Sequence, residues 1–132
     1  MPIVDRHLSV PGVAPGLRYA HAVTTTGQLA FVSGQVALSE DGALVGDGDV
    51  RAQTERALRN LGNVLTALGA TWSDVVRFNW YLLDVSRIQD VRDARDAVLG
   101  DAPTPASTLI QVAGLFRPGF LVEVDAVVAL PD

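Results

Sequence analysis

The chain has 132 residues, of which 48% are hydrophobic and none is cysteine. This length predicts one domain over residues 1–132, with a core that needs no disulfide or thiolate metal site. The net charge of -5 and the scattered basic residues argue against a nucleic-acid partner, since phosphate binding needs a concentrated basic surface. No leader-like start and no apolar run of roughly 18 residues is present, so we expect a cytoplasmic protein without a membrane partner.

Two apolar, β-prone runs form the first predicted element, a β-hairpin. Residues 19–24 and 29–37 lie on either side of a Thr-Gly break that is typical of a tight turn. After an acidic, glycine-rich stretch, apolar residues recur at helical spacing over residues 50–68, which predicts the first helix. Asp49 is predicted to cap its amino end and Gly69 its carboxyl end.

The second half of the chain predicts a strand, a helix and two further strands. Residues 76–83 alternate in character as the two faces of a strand do. Ser86 and Gln89 have the spacing of a capping box, which predicts the start of a second helix. Two prolines end that helix before predicted strands at residues 107–112 and 121–129, which an FRPG turn connects.

This order of elements predicts an α+β fold in which one mixed sheet carries both helices on the same face. The other face would expose an apolar patch of a size that soluble monomers rarely show, so we expect self-association. The predicted patch comprises Tyr81, Leu83, Leu109, Leu121 and Val127.

Four short segments carry a resemblance to a known family. They read RYAHAV at residues 18–23, FVSGQ at 31–35, PASTLIQV at 105–112 and VEVDA at 122–126. These segments resemble the motifs of the RidA family, the YjgF-type imine deaminases. The resemblance implies a chorismate-mutase-like fold that assembles as a homotrimer and binds a small molecule in clefts between subunits.

The resemblance also assigns site residues. Glu123 matches a glutamate that orients or activates water for attack on an imine carbon, and it is the predicted catalytic residue. Tyr19 matches a tyrosine that lines the cleft, and Ser33 matches the serine of F-x-S-G-Q, whose hydroxyl can donate to a ligand. Each has a structural alternative: a solvated strand carboxylate for Glu123, an interface residue for Tyr19 and a hydroxyl that satisfies the backbone for Ser33.

Ser107 departs from the family pattern, because the deaminases carry at this position an arginine that holds the substrate carboxylate. A charge-assisted hydrogen bond contributes roughly 1.5–3 kcal/mol, so we expect at least a tenfold loss in handling a 2-imino acid. Leu109 replaces a frequent cysteine and reshapes the predicted pocket. Arg92 aligns with a cleft-facing asparagine, and it either restores an anion-binding charge, pairs with Glu123 or is a solvated helix arginine.

Geometry from the sequence places Ser107 and Leu109 on one face of their strand and Glu123 on one face of the next. If each of these faces points to the intersubunit side, Glu123 lies in a cleft wall. With the roles that the resemblance implies, the predicted function is binding of a small carbonyl- or imine-type metabolite, and any catalysis would be metal-free hydrolysis in which Glu123 handles a water.

Two other functions remain open at this point. The first is an arginine-independent 2-imino acid deaminase, and the second is a non-catalytic regulatory or chaperone-like protein. RNA cleavage is disfavoured by the acidic composition. The two histidines belong to no ligand-spaced cluster and no dinucleotide or phosphate-loop motif is present, so we expect no metal and no cofactor.

Overall fold

The computed structural model describes residues 2–132, which form two sheets and two α-helices. The elements are β1 (Ile3–His7), β2 (Ala22–Thr25), β3 (Leu29–Gln35), α1 (Val50–Ala67), β4 (Val75–Leu82), α2 (Ile88–Leu99), β5 (Ala106–Gln111) and β6 (Val122–Ala129). Short 3-10 helices over Trp72–Asp74 and Val85–Arg87 precede β4 and α2.

The larger sheet has four strands in the order β3-β6-β4-β5. β4 and β5 run parallel, whereas β6 is antiparallel to both β3 and β4. The two helices pack on one face of this sheet, so the predicted α+β architecture with a mixed sheet is confirmed. The buried side chains on that face come from alternate positions of the central strands, namely Phe78, Trp80, Leu82, Val122, Val124, Ala126 and Val128.

The predicted hairpin of residues 19–24 with 29–37 is wrong. β2 pairs antiparallel with β1, and β3 pairs with β6 instead. The strand β1 was not predicted, because its sequence, IVDRH, lacks the alternation of apolar and polar residues that marks a strand. Its residues are largely exposed, and the small sheet forms by backbone pairing of β1 with β2. β5 and β6 are also not neighbours, since β4 lies between them.

The helix caps follow the sequence in part. Asp49 accepts a hydrogen bond from the backbone nitrogen of Ala52 at 3.0 Å, as predicted, and Gly69 adopts the left-handed conformation directly after α1. The predicted capping box of Ser86 is wrong. The N-cap of α2 is Arg87, which makes no side-chain capping hydrogen bond. Asp84 caps the 3-10 helix before α2, where it accepts from both the backbone nitrogen and the hydroxyl of Ser86.

The open face of the four-stranded sheet, the face without helices, differs from the predicted apolar patch. Leu109 and Leu121 are wrong as members, because both are partly buried against the hydrophobic core. The large exposed apolar side chains of the open face are Phe31, which is 77% exposed, Ile110, which is 47% exposed, and Leu29, which is 38% exposed. Within residues 2–132, no helix is both long enough and apolar enough to cross a bilayer.

Gln53 joins α1 to the segment that leads into β6. Its buried side chain donates to the carbonyls of Gly46 and Gly119 at 3.1 and 2.9 Å, and it accepts from the backbone nitrogen of Leu121 at 2.9 Å. Leu121 lies two residues before Glu123, so this amide fixes the start of the strand that carries the predicted catalytic group.

The Gln53→Leu variant is expected to lower the free energy of unfolding by about 2–4 kcal/mol, because it leaves a backbone N–H and two carbonyls without their partner. Urea unfolding followed by circular dichroism measures the loss. Gln89→Leu on the exposed side of α2 is the matched control and should change the free energy by less than about 0.5 kcal/mol. Equal effects of the two substitutions would contradict this role of Gln53.

Candidate functional site

β6 presents two carboxylates on the open face, because its residues alternate between the two sides of the sheet. Val124 and Ala126 point into the core, which turns Glu123 and Asp125 to the other side. In the register with β4, Glu123 lies opposite Tyr81 and Asp125 opposite Asn79. The core packing of one strand therefore fixes where its acids lie.

Asp125 is held by two hydrogen bonds from β4. Asn79 Nδ2 donates to one of its oxygens and the Tyr81 hydroxyl donates to the other, both at 2.8 Å. The network continues to β5, since Arg77 donates to Asn79 Oδ1 at 2.9 Å and to the Thr108 hydroxyl at 2.6 Å. The bond to Asp125 is the main cause that raises the pKa of the Tyr81 phenol. Asp125 thus joins β6 to β4 and has a structural role.

Glu123 differs from Asp125 because it has no hydrogen bond or ion pair within residues 2–132. Partial burial raises the pKa of its carboxyl group, and the negative charge of Asp125 raises this pKa further. A carboxyl group that is partly desolvated, unpaired and raised in pKa is suited to exchange protons with a bound water.

A bulge in β3 makes room for Glu123. The pairing with β6 shifts between Val32 and Gln35, so Ser33 and Gly34 are both exposed. A Cβ atom at Gly34 would collide with Glu123 Oε2. Glycine is therefore required for the close approach of this carboxylate to β3, and Ser33 is the residue directly before that contact.

The other predicted site residues line a cavity on the helix side of the sheet. Ser107 pairs with Phe78 and Leu109 pairs with Trp80, so both point toward the helices rather than toward the open face. Together with side chains of α2 and of the segment before β2, they enclose about 300 Å³. The lining residues are Pro15, Leu17, Tyr19, Trp80, Ile88, Val91, Arg92, Arg95, Ser107 and Leu109.

A β-bridge next to Tyr19 holds this residue beside the cavity. Ala20 pairs with Ala106 at the start of β5, and its nitrogen donates to the carbonyl of Pro105 at 2.9 Å. Arg18 has a φ of 63°, a left-handed conformation that non-glycine residues rarely adopt. The chain is thus bent sharply beside Tyr19, at the mouth of the cavity.

The structure therefore splits the predicted site into two groups. Tyr19, Arg92, Ser107 and Leu109 lie together at the helix-side cavity, whereas Ser33 and Glu123 lie together at the open face. Because the sheet separates the two groups, Arg92 forms no ion pair with Glu123 in this chain.

Two arginines at the cavity were missed by the sequence analysis. Arg95 lines the 300 Å³ cavity, and both Arg95 and Arg18 line a smaller adjoining cavity of about 60 Å³. The spacing of Arg92 and Arg95, one helical turn apart, was the available signal. Among residues 2–132, no group of three or more histidines or carboxylates is placed to hold a metal ion.

Comparison with known proteins matches residues 12–130 to the family described as endoribonuclease L-PSP. A RutC family protein of Synechocystis is 34% identical over 119 residues, which cover 89% of this chain and 90% of that protein. A 2-iminobutanoate/2-iminopropanoate deaminase of Mus musculus is 32% identical over 97 residues, which cover 74% of this chain and 70% of the enzyme. The crystal structure of a Rid-family protein of unknown function from Yersinia pestis superposes with a TM-score of 0.87 at 32% identity, and the match covers 95% of this chain and 98% of that one.

The Asp125→Asn variant is expected to lower the pKa of Glu123, because it removes a neighbouring negative charge. The pKa should stay above the ordinary glutamate value, since burial is the larger cause of the rise. Titration of the side-chain carboxyl carbons by NMR measures the change. Asp47→Asn, which removes an equal charge from an exposed loop, should leave Glu123 unaffected, and an unchanged or higher pKa in Asp125→Asn would contradict the assigned cause.

Proposed function

We propose a function for this chain, which belongs to the RidA/YjgF family, as its motifs predicted. The protein binds a small carbonyl- or imine-type metabolite in the cytoplasm, and it hydrolyses the imine form without a metal. The observation that carries this proposal is the carboxyl group of Glu123. This group lies on the open face next to the exposed Ser33 and Gly34. Partial burial raises its pKa, and it forms no hydrogen bond or ion pair within residues 2–132. The name of the mouse relative, an imine deaminase, supports the reaction class.

The chemistry needs one base and one water. Glu123 in its carboxylate form accepts a proton from water as the oxygen attacks the imine carbon. Glu123 passes this proton to the imine nitrogen and then transfers the proton of the new hydroxyl group to the same nitrogen. Ammonia leaves as the tetrahedral intermediate collapses to the carbonyl product, so one imine and one water give one carbonyl compound and one ammonia. In this proposal the hydroxyl of the exposed Ser33, the residue before Gly34, donates a hydrogen bond to the ligand.

The separation of the two groups of site residues supports a site shared between subunits. In one chain, the sheet lies between the cavity of Tyr19, Ser107 and Leu109 and the carboxyl group of Glu123. A second copy whose cavity lies beside the open face of the first would bring both groups to one cleft. We therefore propose a homotrimer with a cleft at each subunit boundary, which would also cover the exposed Phe31.

Glu123→Gln is expected to reduce imine hydrolysis by about 100-fold or more, the usual contribution of a positioned general base. 2-Iminopropionate is generated with an amino-acid oxidase, and the release of ammonia is followed against the uncatalysed rate. Activity of the wild type should fall as pH drops through the raised pKa of Glu123, because the protonated form cannot accept a proton, and this acidic limb should be lost in the variant.

Glu55→Gln on α1 is the matched control, because it makes the same chemical change on a helix of the opposite face. It should retain the wild-type rate and pH profile. If Glu123→Gln keeps full activity, the role of this carboxylate is wrong. If the wild type itself adds nothing to the uncatalysed rate, the non-catalytic alternative is favoured.

Sedimentation equilibrium is expected to give the mass of a trimer for the wild type. Phe31→Glu should dissociate the trimer, because it places a charge in an interface that excludes water. Leu68→Glu, at the end of α1 in the helix layer, substitutes another exposed apolar residue and should leave the trimer intact. A monomeric wild type would overturn the shared cleft.

A further inference from the structure

Three arginines surround the cavity on the helix side of the sheet. Arg95 and Ser107 line both the larger and the smaller cavity, while Arg92 adds to the first and Arg18 to the second. Asp96 is the one carboxylate among the residues that line them. In a chain whose net charge is -5, this local excess of positive charge favours an anionic ligand.

Arg95 is the member of this cluster that combines burial with few hydrogen bonds, whereas Arg92 is exposed to solvent. Its side chain is only 19% exposed, and its one polar contact joins Nε to Asp96 Oδ1 at 3.5 Å, the outer limit of a hydrogen bond. The other oxygen of Asp96 forms an ion pair with Arg18 Nη1 at the shorter distance of 2.9 Å. The terminal nitrogens of Arg95 donate to no acceptor in the described part of the chain.

Such an arrangement is costly unless an anion completes it. A guanidinium has five N–H donors, and burial without acceptors disfavours its charge. Burial is the main cause that lowers the pKa of Arg95. Asp96 opposes this shift through its charge and its hydrogen bond, and repulsion from Arg18 and Arg92 adds smaller contributions that lower the pKa. A ligand carboxylate in the cavity would accept two of the free N–H groups and neutralise the repulsion at the same time.

We propose that Arg95 is a specificity-determining residue, whose guanidinium reaches the cavity from α2 and holds the carboxylate of the bound ligand. The inference rests on the proposed function, and it narrows the ligand class to small carbonyl or imine compounds that carry a carboxylate. Ser107 on β5 offers only a hydroxyl to the same space. The loss expected from Ser107 alone is therefore offset by a cation from another element. Arg92, which is exposed, adds charge at the rim.

The test compares pyruvate with pyruvamide, its neutral amide, by isothermal titration calorimetry. Arg95→Gln is expected to weaken the binding of pyruvate by about 10- to 100-fold, the range for loss of a charge-assisted pair, and to change the binding of pyruvamide by less than about twofold. Arg59→Gln, an equal loss of charge from an exposed position of α1, should change neither. Arg92→Gln should lower the affinity for pyruvate less than Arg95→Gln does.

A second measurement uses Ser107 on β5, the position where the deaminases carry an arginine. The double variant Arg95→Gln with Ser107→Arg should recover at least about tenfold of the lost affinity for pyruvate, because it returns a guanidinium to the same cavity. If Arg95→Gln fails to fold, the wild type alone decides: it should prefer pyruvate to pyruvamide by about tenfold or more. Equal affinities would overturn the assignment.

The outcomes separate this inference from the proposed function. If the wild type binds both ligands and Arg95→Gln binds pyruvate as tightly as the wild type does, Arg95 is not the anchor, although the site for carbonyl compounds stands. If the wild type binds neither ligand, the proposed function fails, and the inference fails with it.

Discussion

The alternation of β6 is the constraint on which the rest of the structure depends. Val122, Val124, Ala126 and Val128 must point to the helices to fill the core, so the intervening residues have no choice of side. The same strand therefore builds the hydrophobic interior and displays Glu123. A slip of one residue in its register would bury two carboxylates and expose the core, which makes the position of the acid as secure as the fold itself.

The two faces of the sheet have opposite electrostatic character. On the open face, burial and the negative charge of Asp125 raise the pKa of Glu123. Asp125 itself accepts hydrogen bonds from Asn79 and Tyr81. On the helix side, arginines outnumber carboxylates around the cavity. In the proposed function, the carboxyl group on one surface and the cations on the other are complementary parts of a site for an electrophile that carries an acid group, provided that neighbouring subunits bring them together.

The sequence predicted what depends on local pattern. The helical spacing of α1, its Asp49 cap and the two faces of β4 could be read directly, because each is set by residues close in the chain. The family motifs could be recognised for the same reason. The partner of β2 could not be predicted, since β1 carries polar residues at most of its positions and pairs through its backbone.

The candidate site shows a similar division. Glu123, Ser33 and Tyr19 were identified from motifs, but the sequence did not show that the sheet separates Glu123 from the cavity, because Ser107 and Glu123 lie on different strands whose relative orientation is set by the intervening β4. Arg95 was missed for a different reason. It is one of several arginines among aspartates on α2, and only packing decides which of them turns toward the cavity.

Gln53 has a consequence for how the molecule opens. The segment after β5 is mostly exposed and would be expected to exchange its amides and meet proteases early, yet its end is tied to α1 through Gly119 and Leu121 and anchored by the buried Phe120. Local opening at this point requires the helix to release its side-chain amide. The loop before β6 and helix α1 therefore belong to one cooperative unit. The amides at the start of β6 should exchange with solvent as slowly as those of the core, and not as fast as those of a surface loop.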